Sequence, residues 1–369
     1  MFKSSIAKGA VAVALSAACV FGLASCGGSK TVAATVNGTN IYEEDVTEYI
    51  QNFRTQQSLT DESTWGTWLA SYGYTPASVR EQIINSFVEQ ELVKQAIQKE
   101  GITVDSAEVD SFVNQMKSNY DSDEKWKSAL ESAGLTEEKY RENIELSLKS
   151  QALMDKVAPV KDPADEDVLS YAKMYATYYD GARKSSHILV ADEATAQEVE
   201  NKLKSGELSW NEAVAQYSTD QGSKADNGNV GWDVMNSFVT EYTNGLSTLE
   251  VDQISEPVKS NYGYHIIKCT EIFKAPAEIT SLDQIPAEFL ETIRSMLQSQ
   301  NQSADYSTWL EEFKGTATID IKDMPNNLPY YLDMTKYEEA AKAAASSSTS
   351  STATTDTSST TTESSTTQQ

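Results

Sequence analysis

Only two histidines occur among the 369 residues, and each lies in an apolar, β-prone run. His187 sits in Ser185-Ser186-His187-Ile188-Leu189-Val190, and His265 in Asn261-Tyr262-Gly263-Tyr264-His265-Ile266-Ile267-Lys268. Side chains alternate across a strand, so each run turns its imidazole to one face among apolar neighbours. A stray surface histidine needs no such company. The pattern predicts two strands of one small domain, each carrying an imidazole inward. An imidazole has two ring nitrogens that can order a polar network. A zinc site needs more ligands than two histidines and one cysteine offer, and no cofactor is expected. Three cysteines make no disulfide framework. Cys19 and Cys26 lie near the start, and Cys269 reads as a small buried hydrophobe on a strand.

The elements that must hold these histidines run from Arg183 to Lys274. The coarse order is strand (Lys184–Val190), helix (Asp192–Ser205), helix (Trp210–Tyr217), strand (near Val230–Trp232), helix (Thr240–Thr248), strand (Ile254–Pro257) and strand (Tyr264–Ile272). Before this stretch the chain reads as helical from Ile41 to about Val160, after a short strand at Thr31–Val36 that ends in the turn pair Asn37-Gly38. Thr75-Pro76 opens a helix with proline at its first position and a wide apolar stripe, Val79, Ile83, Ile84, Val88 and Leu92 among it, and Gly101 stops it. Leu59 to Tyr74 holds Trp65, Trp68, Tyr72 and Tyr74, and reads as a packed loop or an exposed binding surface. Asp162 to Tyr179 is a connecting helix. After Pro276 come a helix at Ser281–Gln302, an apolar-phased segment at Tyr306–Phe313 and a strand-like end at Ala317–Ile321. From Ala345 the chain is nearly all Ser and Thr and cannot bury a core.

The formal net charge is -26. That excludes nucleic acid, whose phosphates need cationic partners, and a basic face lying on an anionic membrane. Residues 1–25 have the form of an export signal: Lys3 and Lys8, then an apolar run from Gly9 to Gly22 too short for a comfortable span. Leu23-Ala24-Ser25-Cys26 resembles the lipobox of bacterial lipoproteins. The resemblance implies lipid attachment at Cys26, and two or three acyl chains anchor stably where one is marginal.

Val36-Asn37-Gly38, Glu89-Gln90-Glu91-Leu92, Lys99-Glu100-Gly101-Ile102-Thr103-Val104 and Gly134-Leu135-Thr136-Glu137-Glu138 resemble, in order and spacing, the N-terminal domain of PrsA/SurA-type extracytoplasmic foldases. The stretch 183–274 resembles a parvulin-type peptidyl-prolyl cis/trans isomerase domain, through Ser186-His187-Ile188-Leu189-Val190, Tyr217-Ser218-Thr219-Asp220, Asn227-Gly228-Asn229-Val230-Gly231-Trp232, Ile254-Ser255-Glu256-Pro257-Val258 and Gly263-Tyr264-His265-Ile266-Ile267. The implied fold class is α+β, a four-stranded sheet with surrounding helices inserted in a mostly helical SurA-like domain. The implied boundaries are 26–160 for the helical domain, 161–182 for the connecting helix, 183–274 for the isomerase domain, 281–322 for a C-terminal segment packing on the helical domain, and 345–369 for a disordered tail.

The resemblance implies site residues. His187 and His265 match the family's paired core histidines. Asp220 takes the position held by cysteine or aspartate and suits an electrostatic role. Tyr262 falls where an aromatic or small hydroxyl residue lines the pocket or donates a hydrogen bond. Phe238 and Tyr242 stand where the family usually has Met and Phe gripping the proline ring, so a ring-lined pocket survives with altered volume and polarity. Ala191-Asp192-Glu193-Ala194 is acidic where phosphate-reading members are basic, which argues against phosphoSer/Thr-Pro specificity. The expected function is a lipid-anchored extracytoplasmic foldase acting on X–Pro bonds of unfolded secreted polypeptides. Its helical domain cradles clients through apolar and aromatic surface, with Trp65, Trp68, Tyr72 and Tyr74 as candidates, and could form a homodimer. The rivals are a holdase with an inert isomerase domain and a two-lobed solute-binding lipoprotein.

Overall fold

The computed structural model describes residues 30–234 and 237–339. The export signal, Cys26 and the Ser/Thr-rich tail lie outside the described residues. The chain divides into two compact units, Met1–Pro159 with Tyr306–Gln369, and Val160–Asp305.

The first unit opens on a hairpin, β1 (Val32–Val36) and β2 (Thr39–Tyr42), with Asn37 and Gly38 both at positive φ, 50° and 87°. Asparagine followed by glycine suits such a turn because both tolerate the left-handed region. Six helices follow: α1 (Glu43–Gln56), α2 (Glu62–Tyr72), α3 (Pro76–Lys99), α4 (Ser106–Lys117), α5 (Asp123–Ser132) and α6 (Glu137–Val157). Five of them, all but α1, have a side-chain N-cap, from Asp61, Thr75, Asp105, Ser122 and Thr136; α1 instead places Glu43, Glu44 and Asp45 in its first turn, where the helix dipole favours acids. The stretch read as a packed loop or binding surface is helix α2. Trp65 is fully buried in it, Trp68 is half-buried, and Tyr72 is 39% exposed.

The second unit contains α7 (Asp165–Tyr179), β3 (Arg183–Val190), α8 (Glu193–Ser205), α9 (Trp210–Tyr217), the short turn α10 (Gln221–Lys224), β4 (Asn229–Asp233), α11 (Thr240–Ser247), β5 (Val258–Ser260) and β6 (Gly263–Ile272). Its sheet is antiparallel, in the order β4-β3-β6-β5. One face packs Ile188, Val190 and Ile266 under Ala196, Val199, Ala213 and Val214 of α8 and α9. The other packs Ile267 and Cys269 under Tyr242 and Leu246 of α11. Cys269 is buried there, and burial raises its thiol pKa. The strand expected at Ile254–Pro257 is displaced. Ile254 makes an isolated bridge to Lys268, and pairing resumes only at Val258, beyond Pro257, which has no N–H to give a ladder.

The C-terminal segment departs from the expected boundary. Residues 287–315 form one helix, α12 (Ala287–Gly315), where two segments were expected. Its Phe289, Ile293 and Leu297, with Ile285, pack on Val168, Ala172 and Ala176 of α7 and on Trp232 and Phe273. They therefore belong to the second unit, not to the helical domain. The reason is steric: a stripe of large residues every four positions seats against a stripe of small ones. Only from Tyr306 onward does the chain join the first unit. There β7 (Ile319–Ile321) pairs with β1, giving the sheet order β2-β1-β7. Beyond β7 a stretch with turns at 326–327 and 329–330 continues along the first unit, with Tyr330 fully buried and Leu332 and Met334 nearly so. No expectation covered it.

Candidate active site

The β3–β6 register sets Leu189 opposite His265 and His187 opposite Ile267. With a period of two, His187, Leu189 and His265 share one face, and the imidazoles are diagonal neighbours. Their Nδ1 atoms lie 3.0 Å apart, and the rings stack with centroids separated by 5.2 Å. His187 Nε2 lies 2.8 Å from Asp220 Oδ2. His265 Nε2 lies 2.7 Å from Ser260 Oγ, which the β5–β6 hairpin delivers by pairing Ser260 with Gly263. The Tyr262 N–H donates to Ser260 Oγ over 3.0 Å.

Asp220 fixes the proton on the nearer nitrogen of His187. It lies in the loop after α9 and caps α10, accepting from the Gly222 N–H at 3.1 Å and from the Ser223 hydroxyl. These bonds, Ser223 first and His187 second, hold its carboxyl at about 2, well below the usual range. An ionised carboxylate only accepts, so His187 carries its proton on Nε2. In the neutral form of His187 the Nδ1 is then an acceptor, and His265 donates to it from Nδ1. His265 Nε2 in turn accepts from the Ser260 hydroxyl, which is itself primed by the Tyr262 N–H. With both rings neutral, the donors would point one way, from the hairpin to the carboxylate. Burial first, and the neighbouring His187 second, press His265 down to about 4.

That value has a stability consequence. An unfolded histidine titrates near 6.5, so between pH 6.5 and about 4 the unfolded chain binds the extra proton. The contribution of neutral His265 is complete above pH 6.5 and is lost as pH falls, by about 3 kcal/mol at pH 4. Protonation of Asp220 adds a second loss as pH falls from 3.8 through about 2. Thermal melts of the intact chain across pH 4–7 should show this slope for the unit that holds β3–β6, and a His265→Asn variant should flatten it. An unchanged slope in that variant would contradict the assignment.

Above the row lies a cavity of about 340 Å³, lined by His187, Leu189, Asp220, Val230, Ser237, Phe238, Val239, Tyr242, Tyr262 and His265. The six expected site residues are thus brought to one place. Their depths differ. Tyr242 is floor: its ring meets both imidazoles edge-on, at 5.7 and 5.3 Å, and its hydroxyl lies 3.1 Å from Ser185 Oγ. Burial raises its phenol pKa, keeping it protonated. Phe238 stands against Tyr242 at 5.2 Å in a T-shaped contact and forms a half-buried wall. Tyr262 is rim, 71% exposed. The sequence reading missed Ser260, Ser223 and Ser185, and the apolar walls Leu189, Val230 and Val239. Asp220 followed by a serine three residues on is a helix-start pattern that pointed to Ser223. Ser260 had no signal of its own.

Gly228 holds the first histidine in place. It has φ +78°, and a Cβ there would come within 2.2 Å of the His187 carbonyl oxygen; its own carbonyl accepts the His187 N–H at 2.7 Å. Gly228→Ala should destabilise this unit by about 2–3 kcal/mol through strain and forced displacement of β3. Gly181→Ala, at φ +79° with nothing within 4 Å, should cost about 1–2 kcal/mol. Equal effects on chemical denaturation would show that the close approach to His187 is not what Gly228 serves.

Two family models match the chain. One is described as a SurA-like N-terminal domain and covers residues 2–154; the other, a PPIC-type PPIASE domain, covers residues 182–271 and so takes in every residue of the site. A foldase protein PrsA of Halalkalibacterium halodurans is 29% identical over 256 residues, which are 66% of this chain and 74% of that one. Foldase protein PrsA 1 of Bacillus cereus is 38% identical over 144 residues, 38% of this chain and 48% of that one. The crystal structure of PrsA from Bacillus subtilis covers 83% of this chain and 100% of that chain at 24% identity, with a TM-score of 0.38.

Proposed function

We propose that this chain, a parvulin-type peptidyl-prolyl cis/trans isomerase with a SurA-like N-terminal domain, is an extracytoplasmic foldase held to a membrane by lipid on Cys26, and that it turns over X–Pro bonds in secreted polypeptides as they fold. The observation that carries the chemistry is the ionised Asp220, held by three donors in a cavity whose walls Leu189, Val230, Phe238 and Val239 are apolar. Among the described residues no helix is long and apolar enough to cross a membrane, so the membrane part of the reading rests on the Leu23-Ala24-Ser25-Cys26 motif.

The barrier to X–Pro rotation is about 18–20 kcal/mol, because the twisted amide gives up resonance. Resonance places partial negative charge on the carbonyl oxygen and positive charge on nitrogen, and twisting removes both. Leu189, Val230, Phe238 and Val239 accept the proline ring, and their low polarity penalises the planar, charge-separated amide more than the twisted one. A fixed carboxylate on the carbonyl side acts in the same sense, by disfavouring the negative oxygen of the planar form. Only such differential interaction lowers the barrier. The histidines supply no proton to the substrate in this scheme. Both are committed to the row that keeps Asp220 ionised and immobile.

A cis/trans assay on a short proline peptide with the intact chain tests the reading. The expected result is clear acceleration over buffer, lost in the presence of a competing proline peptide. No acceleration would leave a holdase with an inert isomerase domain. The anchor is tested separately by radiolabelled fatty acid incorporation, which Cys26→Ser should abolish.

A further inference from the structure

Phe238 and Val239, two walls of the cavity, lie in neither helix nor strand, in the stretch just before α11. The helices α8, α9 and α10 each start on a side-chain cap, from Asp192, Ser209 and Asp220. α11 starts on Val239, which offers none. A carboxylate from the sheet takes over. Asp233, the last residue of β4, accepts at Oδ1 from the Phe238 N–H over 3.2 Å and from the Ser237 hydroxyl over 3.3 Å. Its Oδ2 accepts over 2.6 Å from the hydroxyl of Thr243, one turn into α11. A carboxylate only accepts, and its two oxygens have room for all three donors. Arg183, the cross-strand neighbour of Asp233, directs its guanidinium to the carbonyls of Leu249 and Gly181. One side chain thus ties the end of β4 to the wall and to the helix behind it.

The body of α11 has other anchors. Tyr242 and Leu246 pack on Ile267 and Cys269, and Gly245 comes so close to the sheet that a Cβ there would meet Val258 at 2.7 Å. The Phe238 ring meets Tyr242 edge-on. Apolar contact has little direction, whereas a hydrogen bond to the N–H sets where the backbone must lie. We infer that Asp233 is the positioning residue of the proline grip: its carboxylate keeps Phe238 and Val239 in place as walls, and with them the affinity for the proline ring. This rests on the reading that those walls accept the ring. Among the described residues Asp233 is not part of the cavity lining, so it acts through Phe238. Its role differs from that of Asp220. Asp220 faces the amide, whose charge distribution changes on twisting. The ring stays uncharged throughout, so its grip is nearly the same in the planar and twisted states, and losing it raises KM more than it lowers kcat. Leu189 and Val230, on β3 and β4, keep the cavity apolar when Phe238 is displaced.

The test is steady-state cis/trans kinetics on a short proline peptide, with the intact chain and three variants of it. Asp233→Ala should raise KM about tenfold and lower kcat by less than about threefold. Asp233→Asn should bring KM back to within about threefold of the unaltered chain, because its oxygen still accepts from Phe238 and Ser237 while its NH2 donates to the Thr243 hydroxyl. Thr243→Val removes one of the three bonds at nearly constant volume and should raise KM about threefold. Amide hydrogen exchange separates grip from fold: Phe238 should lose protection in Asp233→Ala while Leu246 keeps it. A kcat that falls as far as kcat/KM overturns the inference, and so does an Asn variant that behaves like the Ala variant. Joint loss of protection at Phe238 and Leu246 also overturns it, since Asp233 would then support the whole helix. If Asp233→Ala does not fold, Thr243→Val decides, and an unchanged KM there overturns the inference. The unaltered chain in the same assay keeps the two readings apart. Absence of turnover overturns the reading on which the inference rests, whereas turnover with KM unmoved in all three variants removes the role of Asp233 alone.

Discussion

Replacing Asp220 by asparagine should lower kcat/KM for a proline peptide by about a hundredfold, in line with the removal of one preorganised electrostatic group. The substitution changes no volume, so its effect is electrical. Oδ2 accepts from both His187 and Ser223, and Oδ1 from the Gly222 N–H. An amide cannot serve all three. With its oxygen toward His187 it sets two donors against each other at Gly222. With its NH2 toward His187 it forces that nitrogen to accept, and the tautomers of both rings reverse. Either way the fixed negative charge is gone. Stability should fall much less, because the Asp220 side chain is 29% exposed and a partly solvated network of this kind is worth about 1–2 kcal/mol.

The two explanations of such a loss, chemistry and misfolding, separate cleanly. Nitrogen-15 spectra of the two imidazoles should show, in the unaltered protein, His187 protonated at Nε2 and His265 at Nδ1. In Asp220→Asn the assignment should invert or become mixed while the melting temperature changes little. If kcat/KM stays within threefold of the unaltered protein, the carboxylate is not the group that disfavours the planar amide, and the apolar cavity must lower the barrier without it.

What the sequence made legible follows from where each signal resides. His187 and His265 were readable from their own neighbours, because strand alternation is local and both runs are dense in Ile, Leu and Val. Asp220 was not readable that way. It is a loop aspartate whose meaning comes from β3, 33 positions earlier, so only the resemblance supplied it. Ser260 could be found by neither route, since its contact with His265 is set by hairpin register rather than by residue type. Tyr242 and Phe238 both line the cavity, as expected of them, but the sequence could not show that the Tyr242 ring meets both imidazoles and that its hydroxyl lies beside Ser185. The C-terminal boundary failed because helical phase is visible in sequence while the partner of a helix is not. The buried stretch at 322–337 was invisible because its carbonyls are held by side chains from α1, α2 and α3, leaving no periodicity to read. One clue to it was present. Arg80 lies on the same stripe as Val79, Ile83 and Ile84, and an arginine on a buried helix face needs an anion and carbonyls to receive it.

Arg80→Ala should therefore be the most destabilising single change in the first unit, at about 3–5 kcal/mol. Arg80 is 4% exposed and Glu43 4%. Arg80 Nε meets Glu43 Oε1 and Oε2 at 3.1 and 3.0 Å, and its Nη2 meets Oε2 at 2.7 Å. Removing the guanidinium leaves a carboxylate in the core with the Tyr330 hydroxyl as its one remaining side-chain partner among the described residues, and it strips the Lys322 carbonyl of its donor. The pair itself is not thereby a large source of stability, since burying two charges costs about what their attraction returns. The double variant Glu43→Leu, Arg80→Leu should accordingly recover most of the loss, to within about 1–2 kcal/mol of the unaltered chain. Hydrogen exchange of α1 and α3 in the intact chain reads both variants: protection should collapse in Arg80→Ala and return in the double variant. If the double variant is as unstable as the single one, Arg80 acts through more than charge pairing, and most of the loss then comes from the missing bond to Lys322 O.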